Sequence, residues 1–231
     1  MAAIPTSLQA RLTAVHERIG RACSQAARTP DSVQLVAVSK TFPASAIGDA
    51  AAAGQCHFGE NYLQESLPKV EQLSGRGLIW HFIGPIQSNK TRPIAEHFDW
   101  VHTVEREKIA RRLSEQRPAN LAPLNICIEV NVSGEATKSG VAPQEVAALA
   151  HTINILPRLK LRGLMAIPEP TEDTALQRRR FALLRELKDT LVREGLALDT
   201  LSMGMSADLE AAIAEGATMV RVGTAIFGER K

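Results

Sequence analysis

The sequence lacks a surplus of charge of either sign. Its 231 residues include 27 lysines and arginines against 25 aspartates and glutamates, which leaves a formal charge of +2. A nucleic-acid-binding surface normally carries a marked excess of basic residues, so this balance argues against nucleic acid as a partner. Hydrophobic residues make up 45 % of the chain and charged residues 23 %, which is ordinary for a folded protein and excludes a disordered chain or a coiled coil.

Cysteines are few and far apart. Cys23, Cys56 and Cys127 are an odd number and form no CxxC pair, so we expect neither a disulfide framework nor a zinc site. No apolar run reaches the ~20 residues of a membrane-spanning helix. These absences predict a cytoplasmic protein without a metal and without a membrane partner. Residues 1–28, rich in Ala and Arg with Glu17 as the only acid, leave an organellar targeting segment open as an alternative.

Short apolar runs alternate with helical patterns along the whole chain, and no linker interrupts them. The predicted strands are Val33–Ser39, Cys56–Phe58, Leu78–Ile83, Trp100–Thr103, Leu124–Asn131, Leu161–Ala166, Leu198–Ser202 and Thr218–Val222. Predicted helices between them include Pro43–Ala53, Glu60–Leu73, Glu105–Gln116, Pro143–Leu156 and Glu172–Glu194. A stripe of Leu8, Leu12, Val15, Ile19 and Cys23 predicts one more helix before the first strand.

Eight βα units predict a single α/β domain over residues 1–231, a (β/α)8 TIM barrel with an extra N-terminal helix. An open, doubly wound sheet is the alternative. That fold usually carries a glycine fingerprint in its first βα turn, but this turn has the sequence SKTFP, and neither GxGxxG nor GxxxxGK[ST] occurs in the chain. The barrel is therefore favoured.

Lys40 ends the first predicted strand. An ammonium group there follows an apolar run, at the face where (β/α)8 barrels carry their active sites. Burial would lower the pKa of the amine and free it to attack a carbonyl carbon, which favours a Schiff base. A solvated lysine at a strand end is the alternative that Lys40 alone leaves open.

Small and hydroxyl residues follow the seventh and eighth predicted strands. Ser206 precedes ADLEAAI, which predicts that it caps a helix, and Gly223 and Thr224 come directly after the last strand. Loops after these two strands are the usual phosphate-binding place of the fold. A plain helix cap at Ser206 and a plain turn at Gly223 remain the alternatives.

Arg221 interrupts the last apolar strand, and a buried guanidinium needs either an acidic partner or a ligand. A lysine for an aldehyde, a cradle for a phosphate and an arginine for a ring nitrogen together fit pyridoxal 5′-phosphate (PLP). An arginine keeps its proton, so it would leave the ring nitrogen unprotonated and the ring a weak electron acceptor. Two other interpretations remain: a PLP enzyme for a small amino acid with Lys40 as its base, and an enzyme that forms an imine between Lys40 and a phosphorylated sugar.

Six segments carry a family resemblance. They are AVSKTFP (37–43), FGENYLQE (58–65), WHFIGPIQSNK (80–90), VNVSGEATKSG (130–140), GLMAIP (163–168) and LSMGMSADLEAAIAEGATMVRVGTAIFG (201–228). They resemble the YggS/PROSC family of PLP homeostasis proteins, which is related in fold to the N-terminal domain of alanine racemase. The resemblance implies a barrel that holds PLP as an aldimine, has no established turnover and keeps vitamin B6 pools balanced, with PLP-requiring apo-enzymes as acceptors.

The resemblance assigns residues one by one. Lys40 matches the Schiff-base lysine, and Arg221 matches the arginine that faces the pyridine nitrogen. Ser206, Gly223 and Thr224 match the phosphate-binding positions. Asn61 matches a position near the cofactor, and Lys138 matches a second lysine proposed to act in PLP exchange, although a lysine in a loop of small residues is usually just solvated.

A second acid or base for racemisation is not evident. Alanine racemase is known to use a tyrosine from an additional domain, whereas here the only tyrosine is Tyr62 and no residues remain for such a domain. We therefore expect no catalytic residue and no dedicated turnover, although weak racemase-type activity stays open. His81 has two interpretations, a cofactor contact or a hydrogen-bonded structural residue. Since the site needs no residue from a second chain, we expect a monomer.

Overall fold

The structure, a computed structural model, describes residues 7–135 and 138–228. Its strands are β1 (Gln34–Val38), β2 (His57–Glu60), β3 (Ile79–Phe82), β4 (Trp100–Val104), β5 (Leu124–Glu129), β6 (Leu159–Met165), β7 (Thr200–Ser202) and β8 (Met219–Val222). Its helices are α1 (Leu8–Gln25), α2 (Ala44–Ala52), α3 (Leu63–Gln72), α4 (Thr91–His97), α5 (Glu107–Gln116), α6 (Val146–Asn154), α7 (Thr174–Arg193), α8 (Leu209–Ala214) and α9 (Thr224–Phe227).

The eight strands form one closed parallel barrel in sequence order, and β8 pairs with β1. This confirms the predicted (β/α)8 barrel and each of its eight strands. Closure aligns Ala37 of β1 with Val222 of β8. The first and last strands therefore present their carboxyl ends side by side.

Two of the short helices lie where the sequence predicts none. In α4 only Thr91, Ile94 and Ala95 are buried, and α9 spans four residues. Such short segments contain too few turns for a hydrophobic period to become visible. The longer predicted helices are confirmed with ends that shift by a few residues, and Gly54 and Gly195 follow the ends of α2 and α7 at φ +95° and +97°.

The barrel separates two apolar cores. The larger core lies between the strands and the surrounding helices. The smaller one consists of Val36, Trp100, Cys127, Met165 and Met219. Side chains alternate between the two faces of a strand, so in β8 Met219 belongs to the small core and Val220 to the large one.

The extra N-terminal helix α1 buries the predicted stripe, since Leu12, Val15, Ile19 and Cys23 are all buried. Helix α1 packs against α8 and α9, the two helices that end the chain. No helix within the described residues is long and apolar enough to cross a membrane.

Candidate functional site at the carboxyl ends of the strands

Lys40 lies two residues beyond the end of β1 and is half-buried. It sits in a tight turn in which the Phe42 N–H donates to the Ser39 carbonyl oxygen over 3.1 Å. Thr41 adopts φ +69° in this turn, a left-handed conformation that L-residues seldom take. The turn places Lys40 at the carboxyl-end face of the barrel, as the sequence predicts.

A buried ion pair between Lys69 and Glu60 holds this turn through hydrogen bonds to Ser39. Lys69 of α3 lies 2.9 Å and 3.1 Å from the two carboxylate oxygens of Glu60, and their side chains are 9 % and 0 % exposed. The Ser39 hydroxyl donates to the same carboxylate over 2.7 Å, and the Lys69 ammonium donates to the Ser39 carbonyl over 3.1 Å. Burial raises the pKa of Glu60, and the bonds from Ser39 and Lys69 oppose this rise. No sequence pattern predicts this network.

Gly223 and Thr224 follow β8 and lie next to the end of β1. A Cβ on Gly223 would come within 3.1 Å of the Val38 carbonyl oxygen, so this position suits a residue without a side chain. Gly223 is the N-cap of α9, and the Ile226 and Phe227 N–H groups both donate to its carbonyl. The N–H groups at the start of a helix have no intrahelical acceptor, so those of the first turn can bind an anion.

Ser206 does not cap a helix, which corrects the sequence-based expectation. Helix α8 begins at Leu209 with Asp208 as its N-cap. The Met205 N–H donates to the Asp208 carboxylate over 2.6 Å, and the Asp208 N–H donates back to the Met205 carbonyl over 3.2 Å. This closed turn delays the start of the helix and leaves Ser206 inside the loop after β7, half-buried.

Helix α1 contacts the loop after β7 and helix α9 through two arginines that sequence reasoning missed. Arg18 donates to the Ser206 carbonyl oxygen over 2.8 Å and forms a bidentate pair with Glu210. Arg11 donates to the Ile226 carbonyl oxygen over 2.7 Å. Because the two residues are seven apart, they lie on one face of the helix, and that spacing was the available signal.

Arg221 is buried and points into the barrel. Its guanidinium donates to the carbonyl and hydroxyl oxygens of Ser202, over 2.7 Å and 2.6 Å, and to the Ala166 carbonyl over 2.9 Å. Burial lowers the pKa of Arg221 to about 10, while Asp208 and Glu129 oppose the shift. The group therefore keeps its positive charge at neutral pH.

Glu129 ends β5 near this cation and was missed by the sequence reasoning. It is buried, and burial together with the neighbouring Glu105 raises its pKa to about 7, while Arg221 acts in the opposite direction. A carboxyl group with such a pKa exchanges a proton near neutral pH. An acidic residue that closes an apolar strand was the available signal.

Asn61 directly follows β2, and its side-chain oxygen lacks a hydrogen-bond donor among the described residues. This Oδ1 atom is buried. Gly84 packs closely against the Asn61 backbone: a Cβ on Gly84 would lie 2.0 Å from the Asn61 carbonyl oxygen. A cavity of about 600 Å³ opens here, and Tyr62 and Glu129 also line it.

Lys138 lies apart from this cavity. It borders a second one of about 560 Å³, which shares Glu105 and Arg106 with the first. The Lys138 carbonyl accepts a bond of 3.3 Å from the Asn131 amide. Two residues of its loop, 136 and 137, lie outside the described residues.

His81 is fully buried in the barrel interior, where it bonds to His57 and His102. These hydrogen bonds account for its burial and favour the interpretation of His81 as a structural residue. Within the described residues, no group of three His, Cys, Asp or Glu side chains could hold a metal ion.

The structure thus brings Lys40, Arg221, Gly223 and Thr224 onto two neighbouring strand ends, with Ser206 in the loop after β7. This arrangement offers an amine, a buried cation and donors for an anion at one face. Such a set suits a ligand with a carbonyl group, a ring acceptor and a phosphate.

Comparison with known proteins agrees with the fold. Residues 11–231 match the family model described as the N-terminal domain of alanine racemase. An alanine racemase from Clostridium difficile has a TM-score of 0.74 over 96 % of this chain and 56 % of its own, at 15 % identity, which is a likeness of fold alone.

Much closer relatives exist. A protein of Pseudomonas aeruginosa is 62 % identical over 97 % of this chain and 96 % of its own length, and one of Escherichia coli is 52 % identical over 95 % of both. Both are named pyridoxal phosphate homeostasis protein. The structure of PipY from Synechococcus elongatus, with PLP bound, is 38 % identical at a TM-score of 0.85, over 96 % of this chain and all of its own. The chain therefore belongs to the alanine racemase N-terminal domain family and, within it, to the pyridoxal phosphate homeostasis proteins.

Proposed function

We propose that this protein binds PLP at the carboxyl ends of its barrel strands, with a covalent bond to Lys40, and serves intracellular PLP homeostasis. The observation that carries the proposal is the closure of the barrel between β1 and β8. Closure pairs Val36 with Arg221 and sets Gly223 against Val38, two residues before Lys40, which supports a shared site for these residues. PLP, when bound, supplies an aldehyde for amines and a ring that accepts electron density.

The phosphate end of the ligand is assigned to the loops after β7 and β8. Gly223 allows close approach of the backbone, Thr224 adds a hydroxyl, and Ser206 contributes from the other loop. Arg18 and Arg11 tie the loop after β7 and helix α9 to helix α1 through their bonds to the Ser206 and Ile226 carbonyls.

The ring end is assigned to Arg221 and Asn61. Among the described residues, Arg221 bonds to three neutral acceptors, which leaves N–H donors for a ring nitrogen. Because a guanidinium does not give up its proton, that nitrogen would stay unprotonated. A ligand hydroxyl near Asn61 would supply the donor that Asn61 Oδ1 lacks.

We further propose that the protein holds and passes on PLP without dedicated turnover, in the cytoplasm and as a monomer, with PLP-requiring apo-enzymes as acceptors. The cysteines are free thiols, which suits a reducing compartment. Tyr62, the only tyrosine in the sequence, is the residue directly before α3 and is 45 % exposed, so it lacks the buried setting of a dedicated acid or base.

The test is an absorption spectrum of the purified protein before and after borohydride, followed by mass mapping. We expect a yellow protein whose reduced pyridoxyl group maps to Lys40, and we expect Lys40→Ala to abolish it while Lys138→Ala, the matched control, retains it. A label on Lys138 alone, or no label after PLP is added, would overturn the assignment of Lys40. A colourless protein that borohydride links to a sugar phosphate would favour the sugar-imine interpretation instead.

Glu129 favours a second candidate function, an enzyme that moves a proton on a small amino acid. The carboxyl group faces the cavity, carries no ion-pair partner among the described residues, and has a pKa of about 7. Sustained amino-acid turnover that is lost in both Lys40→Ala and Glu129→Gln would support it. Equal, negligible rates in the wild type and in Glu129→Gln would leave PLP storage and delivery as the function.

A further inference from the structure

Three histidines form a continuous hydrogen-bonded chain through the barrel. His57 Nδ1 lies 2.9 Å from His81 Nε2, and His81 Nδ1 lies 2.9 Å from His102 Nε2. His102 Nδ1 in turn lies 2.8 Å from the Ser202 hydroxyl oxygen. We call His57, His81, His102 and Ser202 the histidine chain.

The histidine chain runs from the amino-end face of the barrel into its interior. His57 is the first residue of β2, at the amino-end face, and is half-buried. His81 and His102 are fully buried in β3 and β4, and Ser202, the last residue of β7, is fully buried as well. The chain ends on Arg221, whose guanidinium lies 2.6 Å from the Ser202 hydroxyl oxygen.

The bond from Arg221 fixes the direction of every other bond in the histidine chain. A guanidinium only donates, so the Ser202 hydroxyl oxygen accepts from Arg221. Among the described residues His102 Nδ1 is the one acceptor within reach of the hydroxyl hydrogen, so the hydrogen points to His102 Nδ1. His102 Nδ1 is then an acceptor, and the neutral ring carries its hydrogen on Nε2. The same step, repeated twice, makes His81 and His57 accept at Nδ1 and carry their hydrogens on Nε2.

Protonation of the rings would break this order, because a charged imidazole donates from both nitrogens. The groups around the rings oppose a charge. Burial, with Arg221 nearby, lowers the pKa of His102 to about 3, and burial and the two flanking histidines lower that of His81. Trp100 stacks on His81 at 5.5 Å between ring centroids. Burial lowers the pKa of His57 as well, and only Asp99 opposes it.

We propose that the histidine chain acts as a set of positioning residues for Arg221. Each member of the chain is neutral and donates its hydrogen away from Arg221, so the chain presents only a lone pair to the guanidinium. This arrangement fixes the orientation of Arg221 toward the ligand ring. The identity of the ligand rests on the proposed PLP site, whereas the order of the hydrogen bonds in the histidine chain does not. A residue that merely filled space at these positions would need no defined tautomer.

The first experiment uses the protein without PLP, so that it stands or falls independently of the proposed function. Long-range nitrogen–proton correlation spectra of the uniformly 15N-labelled protein at pH 7 report the tautomer of each ring. We expect His57, His81 and His102 to be neutral and to carry the hydrogen on Nε2. An Nδ1–H tautomer or a charged ring at His81 or His102 would overturn the proposal.

The second experiment uses Ser202→Ala, with Ser202→Thr as the variant that keeps the hydroxyl and His97→Gln as a control at an exposed histidine. Loss of one hydrogen bond to a charged group should weaken PLP binding about tenfold. The absorption maximum of the loaded protein should shift in Ser202→Ala, and Ser202→Thr should restore both values. An unchanged maximum in folded Ser202→Ala would overturn the positioning role even where PLP binding itself is confirmed.

Discussion

The ammonium group of Lys69 lies 3.1 Å from the carbonyl oxygen of Ser39, the residue directly before Lys40. The same ammonium neutralises Glu60, which also accepts from the Ser39 hydroxyl. The orientation of the Lys40 turn therefore depends on an ion pair between β2 and α3.

Replacing Lys69 by Met should destabilise the protein strongly, because the Glu60 charge would then be buried without a partner. Breaking a buried pair in this way costs about 3–5 kcal/mol. Chemical denaturation of Lys69→Met measures the loss. The double variant Lys69→Met with Glu60→Gln should recover much of it, since Gln carries no charge and still accepts from Ser39. A double variant no more stable than Lys69→Met would contradict this explanation.

Replacing Arg18 by Ala should weaken PLP binding with only a small loss of stability. The change removes the bond to the Ser206 carbonyl and the pair with Glu210, and the Arg18 side chain is about one-third exposed. We expect affinity to fall several-fold and the free energy of unfolding to drop by about 1 kcal/mol. Titration with PLP, followed by absorbance, gives the affinity.

Arg21→Ala provides the control for Arg18, because Arg21 lies on the same helix and forms an exposed ion pair with Glu17 over 3.9 Å. Its PLP affinity should equal that of the wild type. Equal losses in both variants would show that α1 acts through general stability and not through the Ser206 loop.

Glu129 should make stability fall as pH rises toward neutral. In the unfolded chain this carboxyl titrates near 4.5, while in the folded protein its pKa is about 7. Between these values the folded state holds a proton that the unfolded state has lost, so each rise in pH favours unfolding. The total effect is about 3 kcal/mol and is complete above pH 7.

The measurement is urea unfolding of the wild type and Glu129→Gln from pH 4.5 to 8. The stability of Glu129→Gln relative to the wild type should rise across this window, because Gln has no proton to lose. Gln72→Ala, an exposed change that involves no titratable group, should keep a constant difference from the wild type. Parallel curves for the wild type and Glu129→Gln would refute a raised pKa at Glu129.

Gly84→Ala should displace Asn61. The added methyl would lie 2.0 Å from the Asn61 carbonyl oxygen, and backbone atoms must move to relieve the clash. We expect a loss of at least about 3 kcal/mol and a further loss of PLP affinity in whatever fraction stays folded. The matched change Gly20→Ala, inside α1 with no atom within 4 Å of the new methyl, should instead stabilise by about 0.5–1 kcal/mol.

The barrel could be predicted from the sequence because its strands are continuous apolar runs, a pattern that survives without any knowledge of contacts. The positions of Lys40, Gly223 and Thr224 followed from the strand ends. Ser206 illustrates the limit. Its neighbours resemble a helix start, but the decisive bond from Met205 to Asp208 depends on a turn that the sequence pattern does not reveal.

Cross-strand partners could not be predicted for a similar reason. His57 and His81 are 24 positions apart, and His81 and His102 are 21 apart. Whether such residues meet depends on strand register and on which face each strand turns inward, and a shift of one residue reverses that face. The ion pair of Glu60 and Lys69 could not be predicted either, because it joins the end of β2 to α3 and depends on how that helix packs.

The seam between β1 and β8 gives the site an unusual dependence on the folding of the whole chain. Lys40 comes after the first strand and Arg221 belongs to the last, so a ligand that touches both bridges the two ends of the sheet. During synthesis the lysine emerges long before its partners, and no partial barrel contains the complete site. In the proposed site a bound molecule would span the seam, so opening the seam would remove its contacts with β8 and leave only its bond to Lys40.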